Sequence, residues 1–96
     1  MLVGVMLVEF EIPMANSLQE KRSVLNKMKD RVRNKFNVSI AEVDDQDVWN
    51  YTKIGISVVS NQQKFANQVL DKVFDLLESF HDAEIVDHEI DFLRYD

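Results

Sequence analysis

The stretch from Ser17 to Val43, SLQEKRSVLNKMKDRVRNKFNVSIAEV, constrains the fold most: a capped basic helix runs directly into a strand. Ser17 and Glu20 have the S-x-x-E capping-box spacing, in which the hydroxyl accepts from the third amide and the carboxylate reaches back to the cap amide. Pro13, just upstream, ends the preceding apolar alternation. Leu18, Leu25, Met28, Val32 and Phe36 then recur at helical spacing and form one apolar stripe. At 100° per residue, Arg22, Lys29 and Arg33 flank one side of that stripe, and Lys27, Arg31 and Lys35 flank the other. Lys21 falls almost within the stripe, where its stem can lie on apolar surface with the ammonium reaching outward.

The rest of the chain falls into order around this unit. Residues 2–12 alternate as a strand, with Met6, Val8, Phe10 and Ile12 on one side and Val3, Val5, Leu7, Glu9 and Glu11 on the other. The helix is expected over about 18–36, and a second strand over 37–44, marked by Val38 and Ile40. Asp44 to Asp47 makes a polar turn, and residues 51–60 alternate again as a third strand. A second helix is expected from near Ser60, with Gln63 completing another capping-box pattern and Phe65, Ala66, Val69, Val73, Leu76, Leu77 and Phe80 inward. The last strand spans about 83–93, with Val86, Ile90 and Phe92 inward. This β-α-β-β-α-β order, read as two right-handed crossovers, gives a single ferredoxin-like α+β domain over 1–96: a four-stranded antiparallel sheet with both helices on one face.

Several matched segments resemble the YlxP-like family of small bacterial proteins, a domain of unknown function. They are Ser17-Leu18 with Lys21-Arg22, Phe36-Asn37-Val38-Ser39 with Ala41-Glu42-Val43, Gln46-Asp47 with Trp49, and Ser60-Asn61. Gln19 stands where many members carry Lys. The resemblance implies the ferredoxin-like fold, a bacterial cytoplasmic protein and, through gene neighbourhood alone, a setting in translation or ribosome maturation. It brings no reaction to carry over.

Composition narrows the function classes. With 46% hydrophobic and 29% charged residues the chain is that of a folded globular protein. It has no Cys, which excludes disulfides and thiolate metal sites and is compatible with a reducing compartment. Met1 to Val8 is too short for a membrane span and lacks the basic start of a signal peptide. The net charge of −6 is uneven: residues 17–36 hold seven Lys/Arg against two acids, a balance of +5, and the remainder holds four against fifteen, −11.

No catalytic constellation, phosphate loop or nucleophile triad is present, so the chain is expected to be neither an enzyme nor cofactor-bound. The acidic turn lacks the Gly and spaced acceptors of a calcium loop, and His88 alternates away from Asp87 and Glu89, so no metal site is expected. Trp49 and Tyr51 could stack a base or pack across their strand. The usual RNA-reading positions on the open sheet hold Val5, Leu7 and Glu9, then Lys53, Gly55 and Ser57, with no aromatic among them.

Two surfaces remain. Lys21, Arg22, Lys29 and Arg33 on the basic helix are the candidates to contact an RNA or ribonucleoprotein, with no DNA partner expected; the alternative is that the helix faces the chain's own acidic loops, with Lys21 and Arg22 near Glu42, Asp44, Asp45 and Asp47. Val3, Val5, Leu7 and Val59 on the open sheet face either form a homodimer interface or lie under Phe92 to Tyr95 folded back within one chain.

Overall fold

The computed structural model describes residues 1–96. Its order is β1 (Leu2–Glu11), α1 (Leu18–Lys35), β2 (Ser39–Asp44), β3 (Tyr51–Ser60), α2 (Gln63–Glu78) and β4 (Glu84–Arg94). The four strands form one antiparallel sheet in the order β2-β3-β1-β4. This is the ferredoxin-like arrangement expected from the sequence.

The sheet's inner face carries the alternation to completion. Leu2, Met6, Val8 and Phe10 of β1 are buried, together with Ile54, Ile56 and Val58 of β3 and Ile40 of β2. Against them α1 places Leu25, Met28 and Val32, and α2 places Ala66, Leu70, Val73 and Leu77. Gly4 keeps α2 close: a Cβ there would lie 3.2 Å from Leu70 Cδ1 and 3.3 Å from both Phe92 and Val58.

The α1 cap forms in a modified way. Ser17 Oγ accepts from the Glu20 amide at 3.1 Å, but Glu20 accepts from the Asn16 amide at 2.8 Å, one residue before the cap. At the other end the Phe36 amide closes on the Val32 carbonyl at 2.8 Å.

Four local readings are corrected. The second capping box does not form: α2 starts at Gln63, and Ser60 Oγ instead accepts from the Gln62 amide in a tight local turn. Leu70, at helical spacing from Ala66 and Val73, takes the core position, and Phe65 turns outward, 53% exposed. In β4 a bulge pairs Glu9 with Asp87 but Phe10 with Ile85. Val86 is therefore the extra residue and lies 47% exposed, while Ile85 packs on the core. Strand β2 begins at Ser39, two residues later than expected, and Val38 contributes to the core from the connection before it.

The C-terminal segment does not fold over the sheet. Met1 and Tyr95 exchange two backbone hydrogen bonds, of 2.8 and 3.0 Å, so the chain simply extends the β1–β4 ladder. Phe92 points inward, packed on the core. Leu93, opposite Val3, stays 49% exposed on the open side. No helix is long and apolar enough to cross a membrane.

Candidate functional site: a basic helix and an open sheet face

The four basic candidates separate. Lys21 does not reach solvent: it is 1% exposed, and its ammonium points into the turn between β2 and β3. Nζ donates to the Asp45 carbonyl at 2.7 Å and to the Val48 carbonyl, and it pairs with Glu42 Oε2 at 2.9 Å. Glu42 in turn accepts from Thr52 Oγ1 at 2.6 Å, and Thr52 is itself fully buried. An ammonium has three donors, and here all three have acceptors. The turn demands this arrangement. Asp45 sits at φ 62°, a left-handed conformation that Asp tolerates better than most side chains. The turn leaves its carbonyls directed at α1, and Lys21 closes them.

Arg22 and Arg33 are exposed, and Lys29 is half-buried. Arg33 Nη2 donates to the Ile40 carbonyl at 3.0 Å, which anchors the end of α1 to β2 and leaves other guanidinium donors outward. Arg22, Lys29 and Arg33 lie at helical intervals of about 10 and 6 Å, at 1.5 Å per residue. On the other flank Arg31 lies over the Phe80 ring, 5.3 Å from its centroid. Lys21 is thus structural, and the solvent-facing basic groups are Arg22, Lys27, Lys29, Arg31, Arg33 and Lys35.

The open sheet face is the second surface. Val3, Val5 and Leu7 are half-buried there, and Val59 is 65% exposed. A groove of about 560 Å³ crosses the face, with Gly55 and Ser57 as its floor and Val5, Leu7, Ala41 and Val43 as walls. Val43 leans over the floor because β2 is irregular between Glu42 and Asp44, which puts its Cγ1 only 3.0 Å from where a Gly55 Cβ would be. Glu89 and Asp91 line the β4 side. Alternation alone identified the β1 row. Val43 and Leu93 were missed, although a Gly inside an apolar strand is itself a signal for a bulge or a close approach.

At one end of this face Glu9 joins two strands. It accepts from the Tyr51 hydroxyl and pairs with Lys53 at 3.2 Å. The Tyr51 hydrogen bond and Lys53 hold the Glu9 carboxyl below its ordinary value of 4.5. The bond to Glu9 pushes the Tyr51 phenol up to about 12, and Glu9 also raises Lys53. For Tyr51 the folded value lies above the unfolded one, so its contribution to stability is complete below about pH 10 and lost as pH rises through 12. For Glu9 the sign is opposite: its contribution is present above 4.5 and lost as pH falls through the lowered folded value. Ultraviolet titration should show Tyr51 ionising near pH 12. In Glu9→Gln it should return towards 10; an unchanged titration there would show that Glu9 is not the cause.

Trp49 is 48% exposed and lies with Val48 and Leu18 beside a shallow hollow, not across the strand. His88 packs its ring on Phe74, centroids 4.4 Å apart. No three His, Asp or Glu side chains converge as metal ligands.

Comparison with known proteins agrees with this architecture. A de novo designed protein with ferredoxin fold superposes with a TM-score of 0.51 at 14% identity, over 94% of this chain and 84% of the design. A C-terminal segment of the alpha subunit of aIF2 from Pyrococcus abyssi superposes with a TM-score of 0.52 at 18% identity. That match covers 98% of this chain but about half, 51%, of the other. At such identities both comparisons show the fold alone. In sequence, the chain is 44% identical over 70 residues to the uncharacterized protein YlxP of Bacillus subtilis (strain 168), covering 73% of this chain and 76% of that protein. A family model described as "Protein of unknown function (DUF503)" matches residues 3–90. The chain belongs to this YlxP-like family.

Proposed function

We propose that the chain is a non-catalytic accessory protein that contacts an RNA or ribonucleoprotein through the exposed basic side chains of α1, in the setting of translation or ribosome maturation. The observation that carries this reading is the segregation of charge. Residues 17–36 hold a balance of +5 on a body of −11, and only Lys21 of the seven cations is consumed inside the fold. A basic strip on an acidic body directs a polyanion to one place and repels it elsewhere. The sheet face, without aromatics at its base-stacking positions, takes no part in this reading.

The test is a salt series with mixed-sequence single-stranded RNA, followed by fluorescence anisotropy. Arg22→Gln, Lys29→Gln and Arg33→Gln should each weaken binding across sequences and reduce the salt slope by about 1. Absence of binding by the parent at low salt ends the proposal.

A second reading, a self-associating module built on the open sheet face, is favoured by the apolar groove and by the failure of the chain's own C-terminal segment to cover it.

A further inference from the structure

Face-to-face association is a general option for an apolar sheet; the register of this sheet selects one arrangement. Strands β1 and β3 pair so that Val3 lies beside Val59, Val5 beside Ser57, Leu7 beside Gly55 and Glu9 beside Lys53. Consider a two-fold axis parallel to the strands, beneath the line between β1 and β3. It lays β1 of one copy over β3 of the other at the same level. Each β1 ridge then enters the partner's groove, with Leu7 over Gly55, Val5 over Ser57 and Val3 against Val59. Each Glu9 comes opposite the partner's Lys53, so the ion pair within each chain, 3.2 Å, becomes half of a four-charge cluster with alternating sign.

We propose that a second copy of this chain occupies the open sheet face, related by a two-fold axis parallel to the strands that seats the β1 ridge of each copy in the other's β3 groove. This rests on the self-association reading and specifies its geometry.

Charge placement excludes the main competitor. On this face β4 presents Glu89, level with Leu7, and Asp91, level with Val5. An axis across the strands would stack β4 on β4 and set these acids against their own copies. The parallel axis instead lays β4 over β2, where Ser39 is level with Ser57 and Ala41 with Gly55. Asp87 and the partner's Asp44, at the Glu9 end, come together with like sign, and they do so at the solvent edge, where salt screens them.

The area is sufficient. Three strands roughly 33 Å long and β2 of roughly 20 Å, at about 4.8 Å spacing, offer on the order of 600 Å² per copy. The buried total of roughly 1,200 Å² reaches the lower end of specific interfaces. Aligned stacking is also the ordinary way in which two twisted sheets meet.

The full chain, Glu9→Lys and Lys53→Glu are compared by sedimentation velocity and light scattering, from micromolar to millimolar concentration. The parent should be dimeric. Lys53→Glu alone should be monomeric, because it gathers four acids at the two-fold beside Asp44 and Asp87; Glu9→Lys, whose four cations those acids partly offset, should pair more weakly than the parent. An equimolar mixture of the two should dimerise again, because opposite signs then meet only across the interface. A monomeric parent overturns both the proposal and the self-association reading. A dimeric parent whose mixed variants stay apart, or whose Lys53→Glu variant still pairs, overturns this arrangement while leaving self-association standing. Val59→Arg is the check that does not depend on the Glu9 pair: the side chain is 65% exposed in the single chain, so its fold is preserved. Dimer affinity should fall roughly tenfold or more, and unchanged affinity counts against the proposed contact.

Discussion

Val32→Asp should unfold the chain. Val32 is fully buried between α1 and the sheet, among Leu25, Met28 and the inner-face residues of the core. A carboxylate there has no partner, and burying it, or protonating it to avoid the charge, costs several kcal/mol against a total stability of roughly 5–15 kcal/mol. Circular dichroism should show loss of the cooperative thermal transition. Arg33→Asp, one residue on, is the control. It removes the bond to the Ile40 carbonyl and places an acid in the last helical turn, which together cost about 1–2 kcal/mol. Similar melting of the two variants would mean that the helical register is wrong.

Lys21→Met is the second large effect. The thioether keeps most of the stem's packing but strands the Asp45 and Val48 carbonyls and the Glu42 carboxylate. Removing one member of a buried pair typically costs 3–5 kcal/mol; Glu42 retains 16% side-chain exposure, so about 3 kcal/mol is expected here. At 4–8 °C per kcal/mol for a domain of this size, the melting temperature should fall by roughly 12–24 °C. Glu42→Gln also removes the counter-charge of the buried ammonium, but it still offers an oxygen to Lys21 and Thr52, so it should fall by less than Lys21→Met. Equal denaturation midpoints for Lys21→Met and the parent would remove Lys21 from the structural role assigned to it.

The architecture was legible because local and long-range signals agree. The Ser17 cap and the Leu25–Met28–Val32 stripe define α1, and strict alternation in β1 and β3 identifies both faces of the central sheet. The errors came where one residue of phase decides the outcome. Ser60 and Gln63 match a capping pattern, but the hydroxyl is taken by the Gln62 amide and the helix starts later; separately, the buried stripe runs through Ala66, Leu70, Val73 and Leu77 and leaves Phe65 outside. Val86 looked inward by alternation counted back from Ile90, and one bulge residue reversed it.

Lys21 illustrates a different limit. The helical wheel placed it in the apolar stripe, and snorkelling was a sound expectation from the helix alone. What reverses it lies in the β2–β3 hairpin: the pairing with Glu42, one of the two expectations, forms at 2.9 Å, and the carbonyls of Asp45 and Val48 complete it. No periodicity encodes the direction of a distant carbonyl. The open face divides in the same way: β1 alternation identified Val3, Val5 and Leu7, but Leu93 and Val43 depend on strand pairing and on an irregularity in β2.

The sealed ammonium also makes the chain its own reporter of local opening. Lys27 and Lys35 are exposed on the same helix as Lys21, so an amine-specific acylating reagent should modify them at the rate of free side chains. Lys21 can react only in moments when the 45–48 turn lifts from α1, and its labelling rate then measures the equilibrium population of that opened state. The exposed lysines of α1 supply the internal standard within one peptide map. Slow labelling of Lys21 that follows global denaturant stability would place the turn in the last unit to open; faster labelling, insensitive to mild denaturant, would show that the β2–β3 hairpin opens while the rest of the sheet stays closed.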